Sequence, residues 1–330
     1  KRLKTIQQEK LNNQVAELDV ATSENSIQES IAQIYIQILY AAESVRVNEN
    51  TLQVSIAQRD RGQELLNAGS IAKSDFAQLE AQVSTDRYQL VTAQATLQDY
   101  KLQLKQLLEL DGENEMNIYL PALSDENVLS PLPAKRDVYV SALALRPEIE
   151  ASKLNVNASE LGIDIAKSGY LPTVSLSAGI GTNHTSGSDF TFGEQVKNGW
   201  NNSIGLSVSV PIFNNRQTKS AVQKAKLQYE TSMLSLLDEQ KALYKTIEGL
   251  WLDANSAQQR YAAANEKLKS TQISYNLISE QFNLGMKNTV ELLTEKNNLL
   301  QAQQEQLQAK YMAILNTQLL KFYQGDKLAL

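Results

Sequence analysis

Apolar residues recur at three- and four-residue spacing along most of the chain, as at Ile27, Ile31, Ile34 and Ile38 and again at Leu243, Ile247, Leu250 and Ala254. That is the period of a helix burying one stripe. The spacing predicts a long helical hairpin within residues 1–110, a helix over 137–167, and very long helices at 216–284 and 288–322. Proline is absent from Lys1 to Leu120, so nothing in that stretch removes a backbone donor from the helical ladder. A helix from Thr218 to Leu284 would run about 100 Å at ~1.5 Å per residue, far beyond a compact domain. Helices of that length must pack side by side as antiparallel coiled coils.

Two segments depart from this period. Val174, Leu176, Ala178 and Ile180 alternate with Thr173, Ser175, Ser177 and Gly179, and Ile204, Leu206, Val208, Val210 and Ile212 alternate with Ser203, Gly205, Ser207 and Ser209. A period of two marks strands, and both runs suit the ~9–11 residues a tilted strand needs to cross a bilayer. A hairpin of a water-soluble β-sandwich would show the same alternation. The small Ser/Gly second face, the lack of a third strand pattern and the rod-like helices on both sides favour the membrane reading. In hydrocarbon every backbone donor and acceptor must be paired within a closed barrel, so other chains must supply strands. Val174, Leu176, Ile180, Leu206, Val208 and Val210 are then the membrane-facing positions. Tyr170 and Phe213 are placed at one end as an aromatic girdle, with Phe190, Phe192 and Trp200 at the other.

Sliding the sequence over itself by 216 residues aligns Ile31 with Ile247, Tyr35 with Trp251, Ala41 with Ala257, Glu64 with Glu280, Gly69 with Gly285 and Asp75 with Glu291. One offset running from aromatic to glycine to acid indicates two copies of one structural unit. Residues 1–110 form the first copy, 111–136 a connector containing Asp111-Gly112, Pro121, Pro131 and Pro133, and 137–330 the second copy with its strand pair at about 170–213. The first copy lacks a counterpart of 137–216, which is expected to precede Lys1. No signal peptide is read, because Lys1-Arg2-Leu3-Lys4 already lies in helical pattern.

The net charge of -6 leaves no basic surface for phosphate backbones, so nucleic acid is not an expected partner. With no cysteine and one histidine, thiol nucleophiles, Cys/His zinc sites and Ser-His-Asp triads have no basis, and neither metal nor cofactor is expected. No nucleophile–base pair or phosphate loop is visible, and no enzymatic activity is expected. No run of 18 or more apolar residues is present, which excludes a transmembrane helix of the usual length but not a β-type span. The run Asp111 to Glu115 has Gly112 too early for a calcium loop and is read as a solvated turn. His184 falls in the Gly- and Ser-rich segment after Gly181 and is read as a solvated loop residue.

The helix containing Arg146-Pro147-Glu148-Ile149-Glu150, the Ser168-Gly169-Tyr170-Leu171-Pro172 entry to a strand, and Gly205 through Phe213 leading into a long helix together resemble the TolC-like outer-membrane efflux proteins. The glycine turns at Gly69 and Gly285, each with an acid six residues later, resemble the same family. The resemblance implies a mainly α fold: a homotrimer whose coiled-coil helices form a periplasmic α-barrel tunnel beneath a twelve-stranded outer-membrane β-barrel. It implies a conduit that receives substrates from a periplasmic adaptor protein and an inner-membrane transporter, with outer-membrane lipid around the strands. The other reading is a soluble periplasmic coiled-coil scaffold or adaptor. The family has four strands per protomer and this chain shows two, so residues before Lys1 are expected to be needed for a closed pore. The chain by itself is expected to give an incomplete barrel.

By the same resemblance, Gly69 and Gly285 mark the tunnel's tip, where the adaptor meets it. Glu291 matches an acid that forms a ring about the threefold axis; three carboxylates so placed repel one another and attract cations. Glu291 also fits a capping box with Asn288 as N-cap, and the two roles are compatible. The family's latch joins a basic residue and a tyrosine of the second copy to an acid of the first, here Lys287, Phe282 and Asp75. Phe282 has no hydroxyl for that latch, and Thr294 stands where some members carry a second acidic ring. Lys287 reads equally as a solvated surface charge.

Overall fold

The computed structural model describes residues 1–110, 118–119, 121 and 128–328. The turn expected at Asp111–Glu115 lies outside the described residues. Helices α1 (Arg2–Asn67) and α2 (Lys73–Leu107) come first, followed by α3 (Lys135–Leu145), α4 (Pro147–Lys167), strand β1 (Thr173–Gly181), a short helix α5 (Phe192–Asn198), strand β2 (Asn201–Ser209), and the long pair α6 (Gln217–Asn283) and α7 (Thr289–Gln324). Two differences from the sequence pattern have plain causes. The helix expected over 137–167 is split, because Pro147 disfavours helical backbone at the residue before it: Arg146 is extended at φ -75, ψ 125, and Pro147 opens the next helix. The segment after Gly181 is not all irregular, since Thr191 and Glu194 close a capping box that nucleates α5.

The chain divides into two units. One comprises Lys1–Asp19 and Glu148–Glu239. In it the start of α1 is tied to α4: the Gln8 amide donates to the Ala158 carbonyl at 2.9 Å, and Lys4 lies 3.6 Å from Asp164. The β1–β2 pair is antiparallel, and its register sets Val174 against Val208, Leu176 against Leu206 and Ala178 against Ile204. Between these, Ser175 meets Ser207, Ser177 meets Gly205 and Gly179 meets Ser203. A one-residue slip would mix the faces, so the alternation excludes it.

The other unit comprises Val20–Pro147 and Gln240–Leu330. Its main core gathers Ile36 and Leu39 of α1, Val128, Ala257 and Tyr261 of α6, and Ala309, Ala313 and Ile314 of α7. The small alanines let helix axes approach closely. Arg146, at the α3–α4 break, donates to Glu29 at 2.7 Å, and its guanidinium lies 4.0 Å from the centroid of the Tyr323 ring. A second cluster, Leu79, Phe282 and Leu292, lies toward the helix-to-helix turns. There Gly62 of α1 sits against Leu79, whose Cδ1 methyl an added Cβ would displace.

Helix bounds coincide at the offset of 216 read in the sequence: α1 and α6 end at Asn67 and Asn283, and α2 and α7 begin at Lys73 and Thr289. Among the described residues, no helix is long and apolar enough to cross a membrane.

Candidate functional site

Both turns use the same backbone device. Gly69 (φ +74) and Gly285 (φ +72) lie in the left-handed region. Ser70 N–H donates back to the Leu65 carbonyl at 2.8 Å, and Met286 N–H to that of Gln281 at 2.8 Å. These are the bonds that satisfy the last carbonyls of a helix when a residue without a Cβ reverses the chain. The helices that follow are capped unequally. Asn288 accepts from the Glu291 amide at 2.9 Å while the Glu291 carboxylate accepts from the Asn288 amide at 3.2 Å, a complete capping box. In the first copy Ala72 offers no side-chain acceptor, so only the return bond forms, from the Ala72 amide to Asp75 at 3.4 Å.

Sequence-assigned tip residues fall into four groups. Lys287 and Glu291 are brought together as an ion pair at 2.5 Å. The Lys287 ammonium, then the Asn288 amide, hold the Glu291 carboxyl below the ordinary carboxylate range. Asp75 bonds its own helix start, and within the single chain no Lys287–Asp75 bond is formed among the described residues. Phe282 is buried between Leu79 and Leu292, an apolar anchor for the turn. Thr294 is exposed and returns its hydroxyl to the Val290 carbonyl at 2.8 Å.

A cluster not singled out in the sequence lies further from the turns. Lys296 of α7 is buried, and its ammonium donates to the carboxylate of Asp86 (α2) and to the hydroxyl of Ser55 (α1). Ser55 in turn donates to the same Asp86 oxygen, while the other accepts from Gln82 at 2.9 Å. Three helices of both hairpins thus meet in one closed polar network. Desolvation pulls Lys296 below the ordinary ammonium range, and Asp86 opposes that shift. A sequence signal existed. Lys296 falls between Leu292 and Leu299 on the buried stripe of α7, and Asp86 follows Leu79 and Val83 on that of α2. Opposite charges at core positions of neighbouring helices call for each other.

The strand pair, in the other unit, is a separate candidate. Val174, Leu176, Ile180, Leu206 and Val208 all lie within β1 and β2 and are exposed, Leu206 at 71%. Val210 is exposed too but falls outside the strand, which ends at Ser209. Pro211 has no amide to donate, so the ladder stops short of the expected 213. The register brings Thr173 opposite Ser209 at one end and Gly181 opposite Asn201 at the other. Exposed Tyr170 and Phe213 flank the first end, and exposed Phe190, Phe192 and Trp200 the second. His184 lies beside the second end, edge-on to Phe192 with ring centroids 5.2 Å apart. No group of three or more His, Cys, Asp or Glu suited to a metal ion occurs among the described residues.

Comparison with known proteins matches residues 138–325 to the family described as outer membrane efflux protein. The chain is 24% identical over 294 residues to the outer membrane efflux protein BepC of Brucella suis biovar 1, covering 88% of this chain and 61% of that protein. It is 24% identical over 315 residues to the outer membrane protein TolC of Escherichia coli K12, covering 92% and 62%. The chain thus spans somewhat over three-fifths of these relatives' length. Its fold superposes on a crystal structure of CusC with a TM-score of 0.82 at 19% identity, over 97% of this chain and 73% of the other.

Proposed function

We propose, from the premise that this chain belongs to the outer membrane efflux protein family, that it is one protomer of a trimeric export channel. β1 and β2 serve as lipid-facing staves of a barrel in the outer membrane, which strands of other chains complete. The long helices are read as two structural repeats and form a periplasmic tunnel. An adaptor protein and an inner-membrane transporter deliver substrate to its tip at Gly69 and Gly285. The chain performs no reaction; energy is supplied elsewhere. The observation that carries this reading is the strand pair, whose register stacks exposed aliphatics on one face and Ser and Gly on the other. Water on the small polar side and hydrocarbon on the aliphatic side satisfy both faces at once.

At the tip, Glu291 is the gate acid and Lys287 its counter-charge. A ring of three Glu291 carboxylates without partners would carry three negative charges. Pairing each with Lys287 cancels most of that field and relieves the mutual repulsion that would otherwise raise the carboxyl pKa values. Purified complete protein in planar bilayers is therefore expected to give trimeric channels. Lys287→Met is expected to increase their cation preference, and Glu291→Gln to reduce it. The Glu291 pKa is depressed, so the acid's contribution to the cap is present above the ordinary carboxylate range and is lost as pH falls through the depressed value. The cation preference due to Glu291 is expected to fade over the same window. A water-soluble monomer without conductance would overturn the channel and favour a coiled-coil scaffold; unchanged selectivity in both variants would remove Lys287 and Glu291 from the gate.

A further inference from the structure

We propose that Lys296, Asp86 and Ser55 form the fixed junction from which the tip opens: rearrangements that widen the closed end occur between this junction and the turns at Gly69 and Gly285, while the junction stays joined. This rests on the export reading above.

The bonds on the two sides of the junction differ in kind. Toward the turns, the polar links that involve the gate residues are half-buried or exposed, and local. Lys287 pairs with Glu291 four residues away on the same helix, and Asp75 bonds the backbone of its own helix start. Water can replace each of them as it breaks, and none ties one hairpin to the other. The hairpins are joined there by the apolar contact of Phe282 and Leu292 with Leu79, which is non-directional and tolerates sliding, and by one neutral bond, from the Gln58 amide of α1 to the Tyr275 hydroxyl of α6 at 2.8 Å.

At the junction the charges are nearly removed from water, with 4% of the Lys296 side chain and 2% of the Asp86 side chain exposed. The Asp86 oxygens are both bonded, and Ser55 accepts from Lys296 while donating to Asp86. The network crosses α1, α2 and α7, so separating the hairpins at this level strands a carboxylate and an ammonium in an apolar surround. A moving element gives way where bonds can be exchanged with water, not where both ions would be left unpaired. The junction, with Gln82 bonded to it and Asn297 beside Gln82, therefore sets how far the opening reaches: α7 moves from Thr289 up to Glu295, and α2 from Lys73 up to Ala81.

Gln82 and Asn297 provide the test, because their side chains meet at 3.5 Å across α2 and α7 at this level and Asn297 is exposed. Gln82→Cys with Asn297→Cys, introduced into the complete protein, is bridged with a short bismaleimide, and dye efflux from cells and conductance in bilayers are read before and after. Efflux within twofold of the unbridged protein is the expected result. A tenfold or greater loss on bridging overturns the junction, since the two helices would then have to part there. Lys296→Met is expected to raise resting conductance severalfold, and Lys296→Met combined with Asp86→Leu to restore it; resting conductance unmoved by the single substitution also overturns the proposal. If the unbridged double-cysteine protein forms no channel, the export reading itself fails and takes the junction with it.

Discussion

Replacing Lys296 with alanine is expected to lower the unfolding free energy by about 3–5 kcal/mol, the usual cost of stranding one member of a buried ion pair. The carboxylate left behind is that of Asp86, 2% exposed, with only Ser55 and Gln82 to bond it. The loss of the lysine's four-carbon stem adds a cavity on the stripe between Leu292 and Leu299. Changing both partners to apolar residues of similar volume, Lys296→Met with Asp86→Leu, is expected to be neutral or stabilising by about 1–4 kcal/mol, because desolvating two ions costs nearly what their attraction returns. The half-exposed pair Lys135–Glu248, at 3.2 Å, serves as the control, and its removal is expected to cost about 0–1 kcal/mol. Denaturant unfolding of the detergent-solubilised protein, followed by helical circular dichroism, measures all three. Equal losses for Lys296→Ala and the exposed control would show that the network is not shielded from water.

The second large effect is expected on the strands. Leu206 lies near the middle of β2 and faces Leu176 across the register. On the export reading proposed above, Leu206→Arg places a charge in hydrocarbon, with an expected penalty of about 2–4 kcal/mol at the bilayer midplane. Ser207→Arg, one residue on, projects to the other face, where water surrounds the new charge. It is expected to leave insertion nearly unchanged and to alter ion selectivity instead. Folding titrations into lipid vesicles separate the two. An equal penalty at both positions would mean that neither face meets lipid.

Much of this architecture was legible because two simple periods dominate the chain. A 3.6-residue stripe uninterrupted by proline specifies a long helix, and the aliphatic alternation around Val174 and Leu206 specifies the strands and the parity of their register, since a one-residue slip would set aliphatic against small polar. The glycine turns were legible for a related reason: a reversal between long helices demands a left-handed residue, and Gly69 and Gly285 are the ones available. The departures at the helix break and at the strand end follow from proline, while α5 starts at the Thr191–Glu194 capping box. Pro147 splits a helix that periodicity alone would continue, and Pro211 ends β2 at Ser209 and leaves Val210 beyond it.

The candidate site was less legible. The Asn288–Glu291 capping box is legible because a cap is a local pattern, Asn288 with an acid three residues on. Phe282 takes the place of the latch tyrosine without its hydroxyl, and its ring packs against Leu79, a contact between residues some two hundred positions apart that no local pattern announces. The Ser55–Asp86–Lys296 network was hidden for the same reason. Each charge stood out on its own apolar stripe, but which helices would meet, and at what height, depends on how the two hairpins align in space.

The claim on which the export reading depends is that the two faces of the β1–β2 pair meet different solvents. Single cysteines at Val174, Leu206 and Val208, and at Ser175 and Ser207, introduced into the complete protein in cells, are to be treated with a membrane-impermeant thiol reagent. Fast labelling at Ser175 and Ser207 with protection at the three aliphatic positions is the expected result. Protection of the serine positions, or equal labelling of both faces, would contradict it.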